Sequence, residues 1–405
     1  MKKLPNGISN YEELLEDGYY YLDKTYYIEE LESLSDKRII FLRPRKFGKT
    51  LFTSVLENYY DVLKKEKFEK LFGETYIGKN PTVNKNKYFI LKFNFSGIDT
   101  ESTEATIKDF KEKVALGISR FIDNYNIDFN INLEQTAEDM LRSIFLAFRI
   151  QKPDKKIYVI IDEYDSFANE LREINKEEPK KFISKNNKVR IWYEVLKEGT
   201  ESIVDRIFMT GVVPVTLDGL TSGFNISRDI TKDGRFNEAL GFNKEELTDI
   251  MNNQELEIME QQEILSVMKE YYGGYKFSVG SENYMYNPAM CIYFLSNYIE
   301  SRKIPERPVN ENITNDYTQF AKILDLYQGG AKQEIIEDAL TEKGVICELT
   351  EKFNSELEFN QKDLISMLYY LGYLTISERI ICFPKLTIPN RVMRENFVLF
   401  SKDGI

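Results

Sequence analysis

No histidine occurs anywhere in the 405 residues. That absence removes Ser-His-Asp and Cys-His catalysis, His-ligated zinc and imidazole acid–base chemistry together. Any reaction must run on carboxylates, Lys, Arg, hydroxyls and a borrowed metal ion. Cysteine is scarce too: Cys291, Cys347 and Cys382 lie far apart with no paired spacing. They read as reduced core residues of a cytosolic protein, with no thiolate metal site. No uninterrupted apolar run nears the roughly 18 residues of a membrane span, and no basic, apolar, small-residue leader opens the chain. Neither a membrane segment nor a signal peptide is expected, and the location is read as cytoplasmic. Positive charge is also short, with 54 Lys and Arg against 66 Asp and Glu and a net charge of −12. A surface that grips nucleic acid as a whole is thereby disfavoured, although a local basic patch is not.

What the chain does contain is ordinary for a folded protein, with 42% hydrophobic and 30% charged residues, and its length suits two or three domains. Four apolar, β-branched runs stand out: "RIIFL" (38–42), "YFILKFNF" (88–95), "IYVIID" (157–162) and "IVDRIFMTGVV" (203–213). Segments with helical spacing lie between and around them, at 49–64, 102–124, 134–150 and 188–199. Fully apolar strands separated by helices predict a parallel sheet covered on both faces. We place this α/β domain, with its aromatic N-terminal extension, at residues 1–242. From 243 to 301 the spacing turns helical and predicts a helical lid. Residues 302–312, "RKIPERPVNEN", have the composition of a linker. The remainder of 302–405 holds the helix "QKDLISMLYYLGYLTI", a hairpin pairing "SERIICF" with "KLTIPN", and the closing helix "NRVMRENFVLF". That order predicts a winged-helix-like module.

The first run passes into "RPRKFGKTLF" and then a helix. A phosphate loop works because successive backbone N–H groups and a helix N-terminus point at the anion while a lysine neutralises the outer phosphates. Gly48 would let the backbone approach, Lys49 would supply the charge and Thr50 would coordinate Mg²⁺. Arg43 occupies the position where such loops carry a first glycine. The third run ends in Asp162-Glu163. A carboxylate at a strand end suits a Mg²⁺-bound water, and the next can orient or deprotonate an attacking water. The fourth run carries Thr210-Gly211, where a hydroxyl could sense the terminal phosphate or make a simple strand-end hydrogen bond. Three elements in this order predict a P-loop NTPase core of the ASCE type, with Glu163 directly after Asp162 as its catalytic glutamate.

The motifs "DKT" (23–25), "RPRKFGKT", "IDEYD", "MTGVVPVTL", "SGFNIS", "RFNEALGF", "YYGGYKF", "YNP", "MLYYLGYLTI" and "LTIPN" occur in this order. In that combination the chain resembles the AAA-ATPase-like family of prokaryotic proteins, similar in its core to STAND and archaeal-type P-loop ATPases. The likeness runs from about residue 4 to 397. It implies that arginine at position 43 is a family trait. It also implies that members often continue into a PD-(D/E)XK nuclease domain. These 405 residues offer no spare Asp and Glu-X-Lys cluster for one, so nuclease activity is not expected.

The expected nucleotide contacts are Arg43, Pro44, Arg45, Lys46, Phe47, Gly48, Lys49, Thr50 and Leu51. Pro288, which opens a helix, joins them through the STAND likeness, although proline is also favoured in any first helical turn. Thr50 and Asp162 are the metal-side pair, and Glu163 with Thr210 the catalytic pair. Asp165 reads as a family acid or a turn cap. Arg45, Arg228 and Arg235 are arginine-finger candidates or surface ion-pair partners, and Arg45 and Lys46 could equally pair with Asp162, Glu163 or Asp165. Tyr21, Asp23 and Lys24 either contact the base or pack on the sheet. Arg379, Lys385, Arg391, Arg394 and Lys402 form a cationic face in a module that carries more carboxylates than cations. A solvated face explains them better than DNA contact. The expected activity is Mg²⁺-dependent ATP hydrolysis driving a conformational switch, with a protein partner or a second copy as the receiver. The competing readings are a scaffold that holds ATP without turnover and a DNA-binding regulator.

Overall fold

All four apolar runs form strands in a computed structural model that describes residues 2–99, 102–166, 179–214, 226–305, 314–353 and 359–403. They are β1 (Arg38–Leu42), β2 (Phe89–Asn94), β3 (Ile157–Asp162) and β4 (Val204–Gly211). A two-residue strand, β5 (Arg228–Asp229), completes the sheet in the order β2-β3-β4-β1-β5. Every pairing is parallel. β4 therefore inserts between β1 and β3. Its register sets Thr210 beside Phe41 and Gly211 beside Leu42, while Asn94 pairs with Asp162. The carboxyl ends of β1, β3 and β4 consequently lie side by side.

Alternation along the strands divides the core. Leu91, Phe93, Val159 and Ile161 face one side, with helices Thr103–Tyr125, Ala137–Gln151 and Pro179–Gly199 around the fully buried Trp192. Ile90, Tyr158, Ile160 and Phe208 face the other, beneath the Lys49–Tyr60 helix and the N-terminal helices Tyr11–Glu16 and Tyr26–Ser33. With both faces covered, near-continuous apolar strands are the stable solution.

Beyond the sheet, helices Lys244–Asn253, Ile258–Tyr272 and Pro288–Ser301 share one apolar cluster. Their starts are written locally. Asn243 and Glu246 form a capping box, and Asn287 caps a helix whose first residue is Pro288. Helices Thr314–Leu326, Lys332–Leu340, Gln361–Tyr370 and Arg391–Asp403 surround an antiparallel sheet of order β6-β8-β7. Its strands are β6 (Val345–Ile346), β7 (Thr375–Ile380) and β8 (Phe383–Thr387), so the expected hairpin is present. The core of this region includes Val212 and Val213, which follow β4. Further ties are Phe353 N–H to the Pro214 carbonyl at 3.0 Å, Tyr369 hydroxyl to the Phe277 carbonyl at 3.1 Å and Lys276 N–H to the Thr375 hydroxyl at 2.7 Å.

β1 and β3 match their expected bounds, and β2 and β4 are trimmed at their ends. β5 carried no apolar signal and was not foreseen. The helix after the loop ends at Tyr60 and a 3₁₀ turn spans Val62–Lys64, because Asp61 breaks helical geometry and caps Leu63 N–H. Residues 306–312 of the expected linker and the first residues of "SGFNIS" lie outside the described residues. No described helix is long and apolar enough to cross a membrane.

Candidate functional site

β1 delivers the chain at Leu42 into a loop that needs two left-handed residues, Lys46 at φ 68° and Gly48 at φ 90°, before the helix starts at Lys49. Gly48 meets this at no steric penalty, whereas Lys46 holds a conformation that side chains disfavour. Lys49 is buried, and its Nζ donates to the carbonyls of Arg43 and Pro44, both at 2.9 Å. Burial pushes its pKa down to about 8, against the opposing pull of Asp165, Asp162 and Glu163.

Asp162 is fully buried at the end of β3. Neither of its carboxylate oxygens has a hydrogen-bond partner of acceptable geometry among the described residues. Burial raises its pKa, and the nearby Thr50 hydroxyl, Lys49 and Lys92 pull it back, while Glu163 adds to the rise. The Thr50 hydroxyl is thus close enough to act electrostatically without forming a well-made bond. An orphaned buried carboxylate is costly unless a cation satisfies it. Thr50 and Asp162 supply hard oxygens, which fit Mg²⁺ completed by phosphate oxygens and water. No group of three or more acidic or thiol ligands is present among the described residues, so an all-protein metal cage is not what these residues build.

The residues that follow divide between chemistry and architecture. Glu163 adopts φ 54°, a strained conformation of the kind found at functional sites, and accepts from the Ser166 hydroxyl at 3.1 Å. Tyr164 donates its hydroxyl to the Val213 carbonyl at 2.9 Å. Buried Asp165 accepts from the N–H groups of Val212 at 3.0 Å and Val213 at 2.8 Å. Through these bonds Asp165 fastens the end of β3 to the chain leaving β4. Gly211 permits it, since a Cβ there would lie 2.2 Å from Asp165 Oδ1.

The structure turns several expected contacts elsewhere. Arg43 points away from the loop cradle into the core. Its guanidinium donates to the carbonyls of Leu42 and Thr231 at 2.8 Å and Phe236 at 2.7 Å. It also lies between the rings of Phe41 and Phe277, at 4.4 and 4.1 Å. The Thr210 hydroxyl donates to the Phe41 carbonyl at 2.9 Å, which is the strand-end bond. Arg228 pairs with Asp36 and Asp233, and Arg235 with Asp233. In the last third, Arg391 pairs with Glu270 and Glu395, and Lys385 with Glu378. Arg394 donates to the Leu340 carbonyl.

On the other side of the loop, a largely apolar cleft of about 100 Å³ gathers Phe47, Gly48, Leu51 and Pro288 with Tyr20, Tyr21 and Lys24. Lys24 is held by Glu246 at 2.8 Å and the Glu238 carbonyl at 2.6 Å. Asp23 lies outside the cleft lining and accepts from Thr25 and Tyr76 N–H groups. Tyr20 and Gly241 also line the cleft, and Asn94 sits beside Asp162 in register. Nothing in the sequence assigned these three to the site, because nothing local marks an apolar wall or a neighbouring strand end.

A parallel sheet with a glycine-and-lysine loop after β1 and a buried carboxylate after β3 defines a P-loop-like α/β core. Residues 5–221 match the family described as predicted AAA-ATPases, and the chain belongs to that AAA-ATPase-like family. Membership supports nucleotide binding. The chain is also similar to an uncharacterized protein in the vnfD 5' region of Azotobacter chroococcum mcd 1, at 26% identity over 294 residues. That match covers 71% of this chain and 50% of the relative, so the chain spans about half the length of the curated relative it matches.

Proposed function

We propose that the chain binds Mg²⁺-ATP at the carboxyl ends of β1, β3 and β4 and hydrolyses it to reposition a helical lid (243–301) and a winged-helix-like module (302–405) on the 1–242 core. The observation that carries this reading is the buried Asp162 carboxylate, without a hydrogen-bond partner beside Thr50 and Lys49. Mg²⁺, when bound, would neutralise the phosphate oxygens and the Asp162 charge together. Backbone N–H groups of residues 45–50 cradle the phosphates, and Lys49 exchanges its two loop carbonyls for phosphate oxygens. The base enters the apolar cleft between Tyr21 and Pro288. Glu163 orients the attacking water. Thr210 acts as a positioning residue that locks β4 to β1.

A second reading, a nucleotide-held scaffold that docks a protein partner or a second copy, draws support from the arginines. Arg228 and Arg235 are both engaged in local ion pairs, so neither is free to act as an arginine finger in cis. No DNA role is proposed, because Arg391, Lys385 and Arg394 are already engaged within the chain.

The test is Mg²⁺-dependent ATP turnover by nucleotide-stripped protein, with Glu163→Gln as the matched control. Turnover that vanishes in the variant while binding persists is the expected result. Tight binding without turnover in both proteins leaves the scaffold. Absence of nucleotide binding in both refutes the whole reading.

A further inference from the structure

A polar track runs between the Lys49–Tyr60 helix and the sheet. Glu57 follows Thr50 by two helical turns, so the two share one face of that helix about 10 Å apart. Opposite them, Lys92 pairs in register with Ile160, and Asn94 with Asp162. Alternation along the strands turns Lys92 to the same side as Ile160 and Asp162, beneath the helix. The Lys92 Nζ meets Glu57 at 2.7 Å. Strand spacing and rise set the Lys92 and Asp162 backbones about 8 Å apart, within reach of a lysine's flexible four-carbon stem.

Lys92 thus stands between two carboxylates and pairs with Glu57. Asp162 feels its charge but gains no hydrogen bond from it. Solvation accounts for the choice. The Lys92 and Glu57 side chains are 26% and 33% exposed, whereas Asp162 is fully buried, and an ammonium drawn to it would shed most of its water. Asp61, which ends the helix, offers no third choice. It already accepts from the Tyr125 hydroxyl at 2.8 Å and from Leu63 N–H at 2.9 Å. An ion pair as exposed as Lys92 with Glu57 contributes little to stability. Its consequence lies in where it holds the ammonium.

We propose that Glu57 and Lys92 are positioning residues: Glu57 holds the Lys92 ammonium off Asp162 and so keeps that carboxylate open for a divalent cation. The inference rests on the proposed Mg²⁺-nucleotide site and gives it a built-in competitor. Without Glu57, Lys92 swings to Asp162, satisfies the orphaned carboxylate and blocks the metal. The free protein then becomes more stable as its metal site becomes weaker.

The experiment has two arms. In the first, AMPPNP is titrated calorimetrically into the full chain in Mg²⁺ and in EDTA, and the ratio of the two affinities isolates the metal's contribution. Glu57→Gln should lower that ratio about tenfold, and Glu57→Gln with Lys92→Met should restore it. Lys92→Met alone should raise it a few-fold. An unchanged ratio in Glu57→Gln, or no restoration in the double variant, overturns the proposal. The second arm needs no ligand and follows urea unfolding through the buried Trp192. Glu57→Gln should raise the midpoint in the otherwise unaltered chain, where Lys92 gains Asp162, but not in an Asp162→Asn background. Equal shifts in both backgrounds overturn the placement of Lys92. A chain that binds no AMPPNP sinks the nucleotide reading and the cation's part in the proposal, while the unfolding arm still decides whether Glu57 restrains Lys92.

Discussion

Restoring glycine at position 43, where phosphate loops usually carry one, should damage this protein rather than repair it. Arg43→Gly removes three charge-assisted bonds to carbonyls of Leu42, Thr231 and Phe236, each contributing about 1.5 to 3 kcal/mol. Contacts with the two flanking rings add roughly 1 kcal/mol each. Against this stands the desolvation that pushes the Arg43 pKa down to about 10, equivalent to roughly 3 kcal/mol relative to its free value. Glycine adds about 0.5 to 1 kcal/mol of backbone entropy loss on folding. The balance is a destabilisation of about 4 to 9 kcal/mol. Trp192 is the single tryptophan and is fully buried against the sheet, so its fluorescence reports unfolding of the α/β core. The urea midpoint should fall by about 1 to 2 M, with no gain in ATP affinity. An unchanged midpoint, or tighter nucleotide binding, would refute the view that Arg43 is a strut holding the loop to residues 231–236.

The Lys49 pKa of about 8 lies below that of a free lysine, so the unfolded chain binds more protons between pH 8 and about 10.4 and the free protein gains stability across that window. ATP binding should move the other way, weakening above pH 8 and taking up a proton near pH 8.5, which buffer-dependent binding enthalpies measure; proton release instead would contradict a protonated Lys49 on phosphate. Gly211→Ala should destabilise the core by about 2 to 3 kcal/mol through its clash with Asp165, and by clearly less in an Asp165→Ala background, where a double-mutant cycle reads the coupling. Additive effects would show that Asp165 is not the obstacle. Ile381 sits at φ 55° at the tip of the β7–β8 hairpin and is 89% exposed. Ile381→Asn should raise the thermal midpoint, by about 0.5 to 1 kcal/mol in stability, because asparagine tolerates the left-handed region better; a lower midpoint would mean the isoleucine makes a contact that matters.

The sequence by itself determined the elements whose causes are local. β1 and β3 are legible residue for residue because fully apolar, β-branched runs bounded by polar residues specify a buried strand without reference to anything else. Gly48 with Lys49, the Asn243, Asn287 and Asn360 helix starts, and the closing hairpin follow from the same kind of neighbour-range chemistry. Tertiary structure alone decided where polar side chains point. Arg43 reads as a loop residue until Thr231 and Phe236 arrive with the carbonyls that draw it inward. Thr210 reads equally as a sensor or a strand-end hydroxyl until β4 inserts beside β1 and offers the Phe41 carbonyl. β5, at two residues, has no pattern of its own and exists because β1 leaves an edge to pair. Apolar periodicity is set by a residue's own neighbours in the chain, whereas a buried donor turns to whichever acceptor the folded backbone brings within reach, here from nearly two hundred residues away.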